Sequence, residues 1–268
     1  MTQTAQEMVE QLLAQWLFQP QVDQEEVRRC AASLGFSASD GASGHTSTSS
    51  TLELYRQLIR GTVEDAIRGV LPITCARLST QLPLLVADFL AQNPPRQDVL
   101  RSLVLEFQSH VSQSDVPAYL DDLMRFESDC AEIGTAPEPA PPTVCVSELS
   151  LAATTRFRNY NYQVHKLNLV PIDQLPQTHP CSLILYRDRD LEVVWVELNP
   201  EQARVLQQVL SGAALEPTLT ALRESGVAGV EKANAAEELE HKLQVLLDEG
   251  GMLRSAPQVA RTAPTTGL

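Results

Sequence analysis

Two regimes of hydrophobic spacing divide the 268 residues. As far as Ile133 the apolar positions recur every three or four residues, the mark of helices that bury one side. Met8, Leu12, Leu13, Trp16 and Leu17 make such a stripe before Pro20, and residues 22–34 can add a turn or two. Residues 35–51 (GFSASDGASGHTSTSST) are small and polar and read as a flexible loop. From Leu52 the helical signal is strong, with Leu54, Leu58, Val63, Ile67, Val70 and Leu71 in register and weak points at Gly61 and Pro72. Further helices follow over 82–91, 99–111 and 116–133. Arg60 with Glu64 stands at i,i+4 spacing, as on a solvated helix face.

The second regime begins beyond TAPEPAPPT (135–143), whose prolines forbid helix and central strand. Residues 160–170 (YNYQVHKLNLV) read as a first strand with a bulge. Leu183 to Val196 then alternates on both sides of the charged run Arg187, Asp188, Arg189, Asp190, which predicts a hairpin with a solvated turn. Asn199, Pro200 and Gln202 form a helix-starting cap. Helices are predicted from there to Ser211 and Gly212, over 215–224, and over 233–249, with Leu239, Leu243, Leu246 and Leu247 on one side of the last. The expected fold class is α+β: an all-α helical bundle over 1–134, a linker over 135–143, a winged-helix-like domain of three strands and three helices over 144–254, and a flexible tail over 255–268.

Charge narrows the choice of partner. The chain carries a formal −14, with nine Lys and Arg against eighteen Asp and Glu through Gly134 and no lysine in that half. Such a surface repels phosphate backbones. The apolar runs are too short to span a bilayer and the N-terminus lacks a signal-peptide pattern, so a cytoplasmic protein is expected. Five scattered cysteines with no CxxC pair argue for reduced thiols, and His179 with Cys181 is the only close pairing of metal-capable side chains. No nucleophile elbow, phosphate loop or HExxH occurs, so no catalytic residue and no metal ligand is assigned.

One set of motifs points further. Tyr55-Arg56 through Leu71-Pro72-Ile73, then Pro117-Ala118-Tyr119-Leu120-Asp121-Asp122-Leu123 and Arg125-Phe126-Glu127, resembles the helical domain of partner subunits of multinuclear non-haem iron oxidative enzymes, the HvfC, MbnC and TglI type. Gln57, Leu71, Ala118 and Ser128 depart from that pattern. The second domain is similar in layout to the recognition element of ribosomally made natural-product pathways, in which a leader peptide adds as a strand to the third strand and lies against the third helix.

The resemblance implies a non-catalytic subunit without a cofactor of its own. It would bind a precursor peptide and present its cysteine-bearing C-terminus to an iron-dependent TIM-barrel enzyme, in 3-thiaglutamate-like or oxazolone chemistry. Carried onto this sequence, the docking edge is Glu192, Val193, Val194, Trp195, Val196 and Glu197, faced by Leu239, Leu243 and Leu246. Arg187 and Arg189, with Arg156, Arg158 and Lys166, form a basic cluster that attracts an acidic leader. Proline at Val194 or Val196 is expected to delete edge donors. Tyr55, Arg56, Arg60, Tyr119 and Arg125 are the candidate contacts to the enzyme, and Glu127 is a candidate for a buried interhelical ion pair. The alternative is a DNA-binding regulator using the winged-helix-like domain.

Overall fold

A computed structural model describes residues 45–93, 100–137, 149–224, 229–249 and 252–254. The amphipathic stripe before Pro20, the segment 22–34, most of the proline-rich linker and the tail lie outside the described residues. Those that are described fall into two compact units, one running to Ser128 and including residues 168–175, the other comprising 129–167 and 176 onward.

The first unit is all helical: α1 (His45–Val70), α2 (Pro72–Leu78), α3 (Leu82–Gln92), α4 (Leu100–Ser112) and α5 (Tyr119–Thr135), the last of which passes into the second unit at Asp129. Its core is built from Val63, Ile67 and Leu71 against Val86, Phe89, Phe107, Leu120, Leu123 and Met124. Phe89 and Phe107 meet edge to face at 5.5 Å, an arrangement aromatic quadrupoles favour. Two expectations change. Helix α1 starts at His45 inside the polar tract, since serine and threonine cost a helix only a few tenths of a kcal/mol each once the apolar part is nucleated. Leu54 and Leu58 are exposed, so the stripe on α1 is buried only from Val63.

Pro72 ends α1 and opens α2. Leu71, at the N-cap, offers no side-chain acceptor. The acceptor comes instead from α5: the buried Glu127 carboxylate accepts from Ile73 N–H at 2.6 Å, Thr74 N–H at 3.0 Å and Thr74 Oγ1 at 2.6 Å. Glu127 is therefore a remote cap on a helix start rather than half of an interhelical ion pair. The Leu71-Pro72-Ile73 and Arg125-Phe126-Glu127 motifs, offset by 54 positions in the chain, meet here. Beside them burial pushes the Cys75 thiol up to about 12, so it stays protonated and inert.

In the second unit β2 (Thr155–Tyr160), β3 (Cys181–Arg187) and β4 (Val193–Leu198) form an antiparallel sheet in the order β2-β3-β4; a separate two-stranded ladder pairs β1 (Leu149–Leu151) with β5 (Met252–Arg254). The first strand of the larger sheet lies before the predicted one, and 164–169 is a 3-10 helix burying Val164, His165 and Leu167. Alternation in TRFRNY was hidden because one of its faces carries arginines. That face meets the end of α5, where Arg158 makes a two-pronged contact to Asp129 at 2.8 and 3.0 Å and Arg156 lies 3.7 Å from Glu132. The other face packs Ile184, Tyr186 and Leu198 on α6 (Pro200–Leu210), α7 (Leu215–Glu224) and α8 (Gly229–Asp248). With both faces covered, Leu183, Ile184, Leu185 and Tyr186 are all buried.

The cap on α6 forms as the sequence predicts, Asn199 Oδ1 accepting from Gln202 N–H at 2.9 Å and Gln202 Oε1 from Asn199 N–H at 3.1 Å. In the hairpin turn Asp188 Oδ1 accepts from Asp190 N–H and Glu192 N–H, which leaves Leu191 at φ 66°. A left-handed leucine is strained by about 1 kcal/mol. Leu191→Gly is expected to raise the stability of this unit by up to about 1 kcal/mol, read as a small increase in Tm.

Candidate functional site: the open edge of the sheet

The chemistry of the second unit's surface concentrates on the outer side of β4. Among the described residues no strand pairs with it. Which of its groups point outward follows from the ladder. Arg187 N–H donates to Thr154 O at 3.3 Å on the β2 side, and Asp188 N–H to Glu192 O at 3.0 Å on the β4 side. Bonded and non-bonded pairs alternate along antiparallel strands. Val194, Val196 and Leu198, opposite Tyr186, Ile184 and Ser182, therefore bond inward to β3. Val193, Trp195 and Glu197 turn their N–H and C=O groups outward. The expectation for proline at Val194 or Val196 is thus corrected: those donors hold the sheet together, and the edge donors belong to the other three residues.

Side chains alternate as well. Val194 and Val196 face the helical core, while Val193, Trp195 and Glu197 share the face of Leu183 and Leu185. Val193 lies so close to the end of α5 that a Cβ on Gly134 would come 3.3 Å from its Cγ2. Trp195 keeps 44% of its surface exposed and its ring lies 6.4 Å from that of His165. Glu197 pairs with Lys166 Nζ at 3.1 Å and lies 3.3 Å from His165 Nε2. Burial alone would raise the Glu197 carboxyl, but the hydrogen bond from Lys166 and its charge, with the His165 ring beside them, outweigh it and hold it below the usual carboxylate value. Burial lowers His165 below the usual imidazole value, which favours its neutral form.

Helix α8 runs alongside this strand. Lys242 Nζ donates to the outward-facing Glu197 carbonyl and to Gln202 Oε1, both at 2.9 Å. Toward the hairpin, the Tyr186 phenol is raised by burial and then by the charges of Glu249 and Asp188. Lys242 stands at the Glu197 end of β4 and Glu249, just past α8, toward its start.

The other sequence-derived site residues divide plainly. Glu192 is exposed in the turn. Leu239, Leu243 and Leu246 belong to the buried core beneath the sheet, where they hold α8 in place. Four of the five members of the basic cluster are engaged internally: Arg187 Nη1 donates to Ala136 O at 2.7 Å, Arg156 and Arg158 meet the end of α5, and Lys166 pairs with Glu197. Arg189 is exposed. In the first unit, Tyr119 is buried beneath the Arg77 guanidinium, whose carbon lies 5.6 Å from the ring centre, so it is a core residue. Arg60 pairs with Glu64 at 3.4 Å and donates to Pro83 O; Arg56 is half-buried. Arg125 is exposed, 3.8 Å from Asp122. Tyr55 lies on α1.

The sequence reading missed Lys242 and His165. An isolated lysine on a helix and a histidine in an irregular stretch carry no periodic signal, and only the ladder brings both to β4.

Residues 152–249, which contain this sheet and its helices, match the HvfC C-terminal domain. Comparison with curated proteins gives no match.

Proposed function

We propose that this protein, whose residues 152–249 match the HvfC C-terminal domain, is a non-catalytic subunit that binds a ribosomal precursor peptide and presents it to an iron-dependent oxidative enzyme in the cytoplasm. The leader adds as a fourth strand to Val193, Trp195 and Glu197. The peptide's cysteine-bearing C-terminus is left to reach the enzyme's iron, in 3-thiaglutamate-like or oxazolone-type chemistry. This chain needs no cofactor for that role. Its contribution to rate is positional, since tethering one end of a short peptide holds the other near the metal at an effective concentration in the mM range.

The observation that carries this reading is the outward-facing backbone of β4 beside α8. A strand edge with no neighbouring strand supplies affinity through main-chain bonds, and its alternating side chains supply selectivity. The spent arginines remove the basic cluster from the account, so recognition is by backbone and by the Trp195 face rather than by bulk charge.

Titration of the full chain with a fluorescently labelled synthetic precursor is expected to give saturable binding, and a DNA duplex at moderate salt is expected to leave the chain unshifted in a gel. Duplex binding without peptide binding would replace this reading with the regulator. Turnover of the peptide by the iron enzyme is expected to require the chain.

A further inference from the structure

We propose that the loop 168–175 (NLVPIDQL) is the element that seats this chain on its enzyme; the proposal rests on the partner-subunit reading above. Three large apolar side chains stand on this short loop with most of their surface exposed, Leu169 at 78%, Ile172 at 58% and Leu175 at 68%. Single exposed leucines need no explanation, but three in seven residues make a patch.

The loop is also held still. The Arg77 guanidinium, lying over the Tyr119 ring, donates from Nη2 to Val170 O at 3.0 Å and from Nη1 to Gln174 O at 3.2 Å. Gln174 N–H closes a turn on Pro171 O at 3.0 Å. A forked donor fixes both ends of the turn, and Pro171 fixes φ inside it. Ordering cost has therefore been met before any partner arrives, which is the condition under which a small apolar patch binds well.

Area and charge select the occupant. The three side chains offer on the order of a few hundred Å² of apolar surface, well under the roughly 800 Å² per partner of a standard interface. A symmetric pair of copies joined only here buries too little, and each copy brings a net charge of −14 to the contact. The same patch suffices as the dry centre of a larger interface with a different protein whose rim is polar or basic. Within the loop the only charge is Asp173, so its fit is an apolar cleft bordered by Lys or Arg on the barrel enzyme.

The test uses the full chain and a barrel-type iron enzyme of the kind proposed above. Ile172→Asp and Leu175→Asp are each expected to weaken the complex at least tenfold by calorimetry, while precursor affinity and the circular dichroism spectrum stay as in the wild type. Leu84→Asp, at another exposed leucine of the same unit, is expected to leave the complex unchanged. Undiminished enzyme affinity in both loop variants, or an equal loss in the Leu84 variant, overturns the assignment. Self-association of the wild type that disappears in the loop variants assigns the patch to a second copy and also overturns it. Failure of the wild type to bind the enzyme at all refutes the partner-subunit reading instead, and is distinguished by that control.

Discussion

Glu127→Ala is expected to cost the helical unit about 2–5 kcal/mol, because it strands two buried backbone donors, Ile73 N–H and Thr74 N–H, and the Thr74 hydroxyl at once. Single domains hold only about 5–15 kcal/mol in reserve, so much of the unit's margin goes with one side chain. Chemical denaturation that follows the helical signal reads the loss directly, and a shift under about 1 kcal/mol would show that water replaces the carboxylate. Glu127→Gln keeps one acceptor and is expected to lose less. The two also differ in pH response. Burial, opposed in part by the Thr74 and Ile73 hydrogen bonds, raises the Glu127 carboxyl above its ordinary 4.5. A raised value means that the folded state holds the proton more tightly than the unfolded chain. The associated stability is fully present below pH 4.5 and is lost as pH rises through the shifted value. That slope is expected in the wild type and absent in the Gln variant.

The second large effect separates the fold of the sheet from its use. Val196→Pro removes a donor that bonds β4 to β3 and is expected to cost about 3 kcal/mol or more, unfolding the second unit in a thermal melt. Trp195→Pro removes a donor that faces outward, so the melt is expected to stay within a few degrees of wild type while precursor binding weakens at least tenfold. The pair is informative because the two positions are adjacent and their backbone groups point opposite ways, Val196 to β3 and Trp195 outward. Tight binding by the Trp195 variant, or an intact melt in the Val196 variant, would reverse the ladder's parity and with it the docking edge.

Much of this architecture was legible in the chain. The hairpin, the Asn199 cap and the helix over 215–224 follow from alternation and capping chemistry, which are local, and the structure has them where the sequence puts them. What was not legible depends on contacts between distant segments. Thr155–Tyr160 hides as a strand because Arg156 and Arg158 face Asp129 and Glu132, carboxylates some 25 residues upstream. Tyr119 and Glu127 carry the motif that suggested the family, yet their work is internal, one beneath Arg77 and the other on the start of α2. At the edge itself, hydropathy could not tell that the donors of Val194 and Val196 point inward, since ladder parity is fixed by the turn.

A strand margin with no partner strand among the described residues is a hazard as well as an opportunity, because copies of the same chain can fuse along it into growing ribbons. Lys242 bears on that hazard: its ammonium sits on the last outward carbonyl of β4. Any added strand that pairs as far as Glu197 must displace that ammonium, whereas a guest strand that stops short of Glu197 leaves it undisturbed. One lysine thus sets how far along the margin a visiting strand can zip without breaking a bond already made.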